Sequence, residues 1–202
     1  MSVIDRILGN PFVYNYVRPL VVGGIDMSPA YDRAEAGPDD VVLDVGCGTG
    51  DAMNYLRSFR RYVGVDTDPV AIDFAKKRFA SQSNVEFHCK MLDADDVARI
   101  APSRVTLVGL LHHLTDDQVV GLFKMLRASP KLARVVSLDI VFVHNERINN
   151  VLASLDRGPY CREQEGYERL VGAGGLVLKD SIVTSSHPDG GRVKYLTMKM
   201  DP

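Results

Sequence analysis

Short apolar runs alternate with helical patterns along the chain from Val41 onward. Five runs are nearly continuous in β-branched and aliphatic residues and predict buried strands: "VVLDV", "RYVGVD", "VEFHC", "RVTLVGL" and "ARVVSLDI". Between them, apolar residues recur at helical spacing in "DAMNYLRSF", "PVAIDFAKKRFA", "DADDVARI" and "TDDQVVGLFKMLRAS". Pro69 and Thr115 suit helix starts, and Pro130 follows a helix end. This alternation predicts an α/β fold whose mainly parallel sheet carries helices on both faces.

The two ends of the chain depart from this alternation. Near the C-terminus, "GLVLKDSIVTSS" and "GRVKYLTMKM" alternate apolar and polar residues around the turn-rich "HPDGG", which predicts an antiparallel pair at one sheet edge. The first 40 residues predict two helical segments, broken at Pro19 and at "VVGG". We therefore expect a helical cap over residues 1–40 and a single compact domain over residues 41–202.

Composition and charge narrow the classes of function. Of the 202 residues, 46% are hydrophobic and 25% are charged, as in ordinary globular domains, and the net charge of −2 gives no global attraction to nucleic acid or anionic membrane. The three cysteines are widely spaced without a C-x-x-C pair, which is typical of a reducing compartment and indicates no zinc site. The first residues lack a signal-peptide pattern, and no apolar run approaches the ~20 residues of a spanning helix. The sequence therefore predicts a cytoplasmic protein with no membrane partner, favours a small-molecule partner over a nucleic acid, and does not indicate the oligomeric state.

A glycine-rich turn follows the first predicted strand. In "VVLDVGCGTGD", Gly46, Gly48 and Gly50 lie between Asp44 and Asp51. Such a turn presents backbone N–H groups to a ligand. The spacing is G-x-G-x-G, whereas the dinucleotide fingerprint is G-x-G-x-x-G, and no Lys follows the last glycine as a phosphate-binding P-loop requires. Two carboxylates at this turn would repel a pyrophosphate and attract a cationic ligand.

The second predicted strand ends in another acid. Asp66 lies sixteen residues beyond Gly50, in "VGVDTD". An acid on the strand beside a glycine loop is placed to accept hydrogen bonds from ribose hydroxyls. The site therefore favours an adenosine compound with a cationic end in place of phosphates. S-adenosylmethionine has these features.

Four motifs in series carry a resemblance to a known family. The segments "VLDVGCGTGD", "VGVDTDP", "NVEFHCKMLDADD" and "LLHHLTDD" resemble the successive motifs of class I S-adenosylmethionine-dependent methyltransferases, over roughly Val41 to Asp139. The resemblance implies a seven-stranded sheet of order 3-2-1-4-5-7-6 with strand 7 antiparallel. It also implies transfer of a methyl group from the sulfonium of S-adenosylmethionine. That displacement needs no metal, and the sequence indicates no metal site.

The resemblance implies a set of cofactor-binding residues. Asp44 would face the amino group and Asp66 the ribose. Where family members often have Gly-Asp-Ala, this chain has Lys90-Met91-Leu92, so the adenine contact is left open between Asp93 and the backbone of Met91 or Leu92. In the N-terminal cap, Tyr14 or Arg18 would meet the methionine carboxylate, unless the tyrosine only packs in the core. The full set is Asp44, Gly46, Cys47, Gly48, Thr49, Gly50, Asp66, Thr67, Asp68, Met91, Leu92, Asp93, Gly109, Tyr14 and Arg18.

Candidate catalytic residues lie where the fourth and fifth predicted strands end. In "GLLHHLTDD", His113 is a candidate for moving a proton or orienting the acceptor, and His112 is a candidate for contacting the acceptor. The alternative is that one histidine packs under the cofactor while the other faces solvent. Asp139, in "VVSLDI", either faces the same pocket as a catalytic residue or is a structural acid.

The segment "LDRGPYCR" is expected to lie over the same strand ends. Arg157, Tyr160 and Arg162 would grip an acidic or aromatic acceptor there, or alternatively the segment only holds its own turn together. The sequence thus predicts a methyltransferase acting on a small or medium-sized acceptor, whose methylated atom is not determined. Three alternatives stay open: a sensor or scaffold that binds the cofactor without turnover, a methyltransferase acting on RNA or protein, and an NAD-dependent oxidoreductase.

Overall fold

A computed structural model describes residues 25–156, 158–187 and 190–202 of the chain. Within these ranges the strands are β1 Val41–Val45, β2 Arg61–Asp66, β3 Val85–Cys89, β4 Arg104–Val108, β5 Arg134–Phe142, β6 Arg162–Glu163, β7 Val177–Ser185 and β8 Lys194–Asp201. The α-helices are α1 Ser28–Ala34, α2 Pro69–Arg78, α3 Ala94–Ile100, α4 Asp116–Arg127, α5 Arg147–Ser154 and α6 Gln164–Ala173. Two single 3₁₀ turns, Asp51–Asn54 and Leu111–His113, follow β1 and β4.

The strands form one sheet in the order β3-β2-β1-β4-β5-β8-β7, and β6 pairs with the end of β5 beside this path. Strands β1 to β5 are parallel, whereas β8 is antiparallel to both β5 and β7. The predicted order and the antiparallel last strand are thus confirmed. The eighth strand, β6, was not predicted. It is only two residues long, too short for any periodic pattern to indicate.

Three of the predicted helices are confirmed as α2, α3 and α4. Pro69 is the first residue of α2, and Thr115 caps α4 with a capping box in which Gln118 bonds back to the Thr115 backbone. The prediction of a helix over "DAMNYLRSF" is wrong beyond the 3₁₀ turn Asp51–Asn54. Beyond this turn, residues 56–59 have no regular secondary structure before the chain enters β2.

Apolar side chains cover both faces of the sheet. On one face, Leu43 and Leu107 are fully buried together with Phe123 of α4. On the other face, Ala30 and Ala34 of α1 pack against the apolar residues of β5. Removing this apolar surface from water is the main stabilising contribution to such a layered fold. Part of the predicted N-terminal cap is therefore a helix on the sheet, whereas residues 1–24 lie outside the described ranges and the extent of the cap stays a prediction.

The carboxyl ends of the parallel strands meet at one edge of the sheet, where open α/β sheets bind ligands. The glycine loop follows β1 there, Asp66 ends β2, and the turn Leu111–His113 follows β4. In the part of the chain that the structure describes, no helix has the length and apolar character needed to cross a membrane.

Candidate cofactor and acceptor site

The glycine loop after β1 depends on backbone conformations that favour glycine. Gly46, Gly48 and Gly50 have φ angles of 77°, 51° and 79°, all in the left-handed region. The N–H of Gly46 donates to the carbonyl of Val65 at 2.8 Å, which fixes the loop to β2. At Gly50 a Cβ atom would also lie 2.8 Å from the ring of Phe87, closer than side chains tolerate. The third glycine is therefore required both by its conformation and by packing.

Asp44 is buried beneath this loop. Its Oδ2 accepts a hydrogen bond from the hydroxyl of Tyr62 and its Oδ1 one from the hydroxyl of Thr106, each at 2.7 Å. Burial raises the pKa of the Asp44 carboxyl to about 6, against the effect of these two hydrogen bonds, and the charges of Asp66 and Asp51 raise it further. A cation bound nearby would favour the ionised carboxylate. The position thus attracts a positively charged group and opposes an anion.

Asp66 connects the glycine loop to the start of α2. Its Oδ2 accepts a hydrogen bond from the N–H of Gly48 at 2.8 Å, and its Oδ1 accepts one from the N–H of Asp68 at 2.9 Å. A carboxylate has about four acceptor positions, so Asp66 keeps acceptor capacity for ribose hydroxyls. Asp68 itself caps α2, since its Oδ1 accepts from the N–H of Val70 at 2.8 Å. Thr67 is exposed beside it.

Asp51 forms an ion pair with Arg78 of α2. The Arg78 guanidinium lies 2.6 Å from its Oδ1, and the Thr49 hydroxyl donates to its Oδ2 at 3.1 Å. This ion pair offsets the charge of Asp51, so the acidic character of the loop comes mainly from Asp44 and Asp66. Within the loop, the side chain of Cys47 is buried among apolar residues, and burial raises the pKa of its thiol.

Three residues around Asp44 were missed by sequence reasoning. Tyr31 of α1 stacks on Tyr55 with ring centroids 5.2 Å apart, and burial together with the charge of Asp44 raises the pKa of its hydroxyl. The other two are Tyr62 and Thr106, which hold the carboxylate. The sequence gave only a weak signal for Tyr62 and Thr106: each is a residue with a hydroxyl group inside a strand run of mainly aliphatic residues.

The three residues considered for the adenine contact lie in different environments after β3. Met91 has 77% of its surface exposed, whereas Leu92 is buried in the main core. Asp93 caps α3, because its Oδ1 accepts a hydrogen bond from the N–H of Asp96 at 2.8 Å. After β4, Gly109 has a φ of 67° and donates its N–H to the carbonyl of Leu138 at 2.7 Å.

On the acceptor side, His112 lies between two buried carboxylates. Its Nδ1 is 2.8 Å from Oδ1 of Asp139, which also accepts the His112 backbone N–H, and its Nε2 is 3.2 Å from Oδ1 of Asp156. Burial by itself lowers the pKa of His112, but the two carboxylates reverse this and raise it above its ordinary value. The second oxygen of Asp139 is buried without a hydrogen-bond partner among the described residues. His112 and Asp139 thus form one buried unit, which sequence reasoning treated as two separate candidates.

His113 and the loop after α5 complete this side of the site. The exposed ring of His113 lies against that of His112, with centroids 4.2 Å apart. A Cβ atom on Gly158 would lie 2.0 Å from the His112 ring, and the N–H of Tyr160 donates to the His112 carbonyl at 3.0 Å. The segment "LDRGPYCR" therefore packs directly on the histidine turn, as expected. Arg157 of this segment, like Tyr14 and Arg18, lies outside the described residues.

Arg162 is held by the turn that follows β4. Its guanidinium donates to the carbonyl of Leu114 at 2.7 Å, to the carbonyl of Leu111 at 3.1 Å and to the carboxylate of Asp116 at 2.8 Å. These bonds connect β6 to the histidine turn, and they engage most of the N–H donors of the Arg162 guanidinium. Tyr160, by contrast, is 41% exposed and open to a ligand.

Comparison with known proteins identifies the domain. Residues 42–131 match the family model described as a methyltransferase domain. An uncharacterized methyltransferase from Bacillus subtilis is 44% identical over 62 residues, covering 30% of this chain and 27% of that protein. A probable ribosomal RNA small subunit methyltransferase A from Methanosarcina barkeri is 30% identical over 101 residues, covering 49% and 33% respectively. The chain thus spans a third or less of the length of these curated relatives.

Solved structures share the fold at low sequence identity. A mitomycin 7-O-methyltransferase has a TM-score of 0.63 and 17% identity, covering 86% of this chain and 51% of that one. An N,N-8-amino-8-demethyl-D-riboflavin dimethyltransferase from Streptomyces davawensis has a TM-score of 0.65 and 20% identity, covering 99% and 62%. Residues 42–131 thus match a methyltransferase domain, and the strand order and these structures show that the described residues share the fold of known methyltransferases.

Proposed function

We propose that this protein binds S-adenosylmethionine at the carboxyl ends of β1 and β2 and transfers its methyl group to a small or medium-sized acceptor. One observation carries the proposal: the left-handed glycine loop lies over the buried carboxylate of Asp44 and is bonded to Asp66. A cation beside Asp44 and hydroxyls beside Asp66 match the two ends of this cofactor. The match of residues 42–131 to the methyltransferase domain model supports the same assignment.

Each part of the loop has a role in this proposal. The backbone from Gly46 to Gly50 surrounds the methionine end, and the charge of Asp44 attracts the amino group. The remaining acceptor positions of Asp66 bind the ribose hydroxyls. Thr67 and Met91, both exposed at neighbouring strand ends, lie alongside the adenine.

The bound cofactor supplies an electrophilic methyl group on a sulfonium. The protein has to orient the acceptor in line with that methyl group and, for a hydroxyl or amine, remove a proton. His113 is the proposed proton acceptor, because its ring is exposed at the strand ends. His112 and Asp139 already contact each other, so we assign them the positioning of His113 and of the loop after α5.

Exposed apolar side chains on and after α5 support an organic acceptor. Ile148 is 68% exposed, Val151 59% and Leu155 46%, and they are followed by the exposed ring of Tyr160. Such surface favours contact with an aromatic or aliphatic molecule. The neighbouring structures include enzymes whose names give a mitomycin and a riboflavin derivative as acceptors, which are molecules of this kind.

A labelled-methyl transfer assay tests the proposal. The purified protein is incubated with methyl-labelled S-adenosylmethionine and a panel of phenolic, amino and flavin-like acceptors, with structured RNA and a protein extract as separate arms. We expect label in one class of small molecule, and less in the Asp66→Ala variant. Label only in RNA or protein would show that the acceptor assignment is wrong. Equal affinity for the cofactor and its demethylated product without any transfer would show that the protein is a sensor.

A further inference from the structure

We infer that the histidine turn after β4 and the loop after α5 together form a binding site for a divalent first-row transition metal ion. The ligands are His112, His113 and Asp156, whose ligand atoms all lie within 4.8 Å of one another. This inference goes beyond methyl transfer and does not depend on it. While a metal holds the lone pair of His113, that residue cannot accept a proton, so proton acceptance by His113 belongs to the metal-free protein. It also departs from the sequence analysis, which assigned no metal because the cysteines lack ligand spacing.

The distances fit a shared ion. Two ligands of a tetrahedral zinc ion, each about 2.1 Å from the metal, lie about 3.4 Å apart. Nε2 of His112 and Oδ1 of Asp156 are 3.2 Å apart. The ring of His113, with its centroid 4.2 Å from that of His112, lies close enough to provide the third ligand. Three protein ligands leave a fourth position for water or an acceptor, as in zinc sites that perform catalysis.

The orientation of His112 is already the one that metal binding requires. Asp139 accepts from Nδ1, at 2.8 Å, so a neutral His112 carries its proton there and directs the lone pair of Nε2 at Asp156. A lone pair facing a carboxylate is repulsive unless a proton or a metal ion lies between them, and at this position the two compete. A carboxylate that holds the far nitrogen of a histidine ligand is a recurrent feature of metal sites, where it fixes the tautomer and orients the ring.

The chemistry of the lining also suits a divalent ion. The side chains of Asp139 and Asp156 are each only 1% exposed, so two carboxyl groups lie beside one imidazole in the interior. Imidazole and carboxylate ligands together suit zinc, iron, cobalt and nickel better than magnesium or calcium, which prefer oxygen ligands alone.

Metal titration of the full chain tests this site. The protein is prepared without a histidine tag, stripped with chelator and titrated with Zn²⁺ by calorimetry and with Co²⁺ by visible absorption. We expect one ion per chain. His113→Ala and Asp156→Asn should each weaken binding at least tenfold, the effect typical of losing a group in the coordination environment. His144→Ala removes another exposed imidazole and is the matched control, for which we expect unchanged affinity.

The outcomes separate clearly. One saturable ion that is lost in His113→Ala and kept in His144→Ala supports the site. Absence of saturable binding, or wild-type affinity in His113→Ala, overturns it. His113 is exposed, so its substitution leaves the buried histidine and aspartates intact and remains decisive if Asp156→Asn fails to fold. Methyl transfer that persists in the stripped protein would leave the proposed function standing and would assign the ion a role outside that reaction.

Discussion

Replacing Asp44 by asparagine tests the electrostatic role of the buried carboxyl directly. The substitution keeps the shape of the side chain and removes its charge. The new amide would still have one oxygen to accept from one of the two hydroxyls, Tyr62 or Thr106, and an NH₂ group to donate to the other. We therefore expect the variant to fold, so that its pH dependence can be compared with that of the wild type.

The magnitude follows from the shift in the Asp44 pKa, from 3.8 to about 6, which burial causes. When a group has a higher pKa in the folded state than in the unfolded state, the free energy of unfolding falls as the pH rises. The fall takes place between the pKa of the unfolded state and the pKa of the folded state. At 1.36 kcal/mol per unit, the wild type loses about 3 kcal/mol from this group over that range, and roughly half of this between pH 5 and 8. The Asp44→Asn variant lacks this loss and should gain relative stability as the pH rises.

Urea unfolding followed by circular dichroism measures the free energy of unfolding of the wild type and of Asp44→Asn at pH 5 and pH 8. The difference between the two proteins is then compared at the two pH values. Asp73→Asn, which neutralises an exposed acid on α2, is the control. We expect its difference from the wild type to be nearly independent of pH.

The same variants in cofactor titrations should show weaker binding only for Asp44→Asn, with wild-type affinity rising from pH 5 to 7 as the carboxyl ionises. A stability difference that does not change with pH would refute the reasoning about Asp44.

Four further substitutions test the account, three in the site and one in α4. Asp66→Ala should weaken cofactor binding by about 1–3 kcal/mol in calorimetry, because a charged hydrogen-bonding group is lost, and unchanged affinity would contradict its assignment to the ribose. His113→Ala should lower the single-turnover rate more than cofactor affinity, and a normal rate would exclude proton transfer by that residue. Gly50→Ala should destabilise the protein by about 1–3 kcal/mol in thermal unfolding, since its φ of 79° is strained for alanine and its Cβ would meet Phe87. In contrast, Gly121→Ala in α4, where a Cβ meets open space, should stabilise it by about 0.5–1 kcal/mol.

The fold was largely predictable because its signals are local. Continuous apolar runs marked β1 to β5, and capping residues such as Thr115 marked helix starts. The two failures also have local explanations. The segment after Gly50 has the apolar spacing of a helix, but it forms only the 3₁₀ turn Asp51–Asn54, in which Ala52 is buried. The strand β6 is only two residues long, and neither its pairing with β5 nor the bond from Arg162 to the carbonyl of Leu114 leaves a periodic pattern in the sequence.

The site was predictable where it follows from one motif and unpredictable where it depends on tertiary contacts. The glycine loop and Asp66 are adjacent to strand ends that the pattern already located, so their meeting was foreseeable. The partners of His112 come from β5 and from the loop after α5, far apart in the sequence. His112, Asp139 and Asp156 do not follow any motif with a characteristic spacing, so the sequence gives no signal that they form one buried unit. Their contact is visible only in the folded structure.

Calorimetry with three ligands tests the central claim, that the loop after β1 accepts a positively charged adenosyl compound. S-adenosylmethionine, its demethylated thioether and NADH are titrated separately into the same protein at pH 7.5. The account predicts saturable binding of the first two at one site per chain and no measurable heat with NADH. Tight binding of NADH, with no heat from either adenosyl compound, would contradict it.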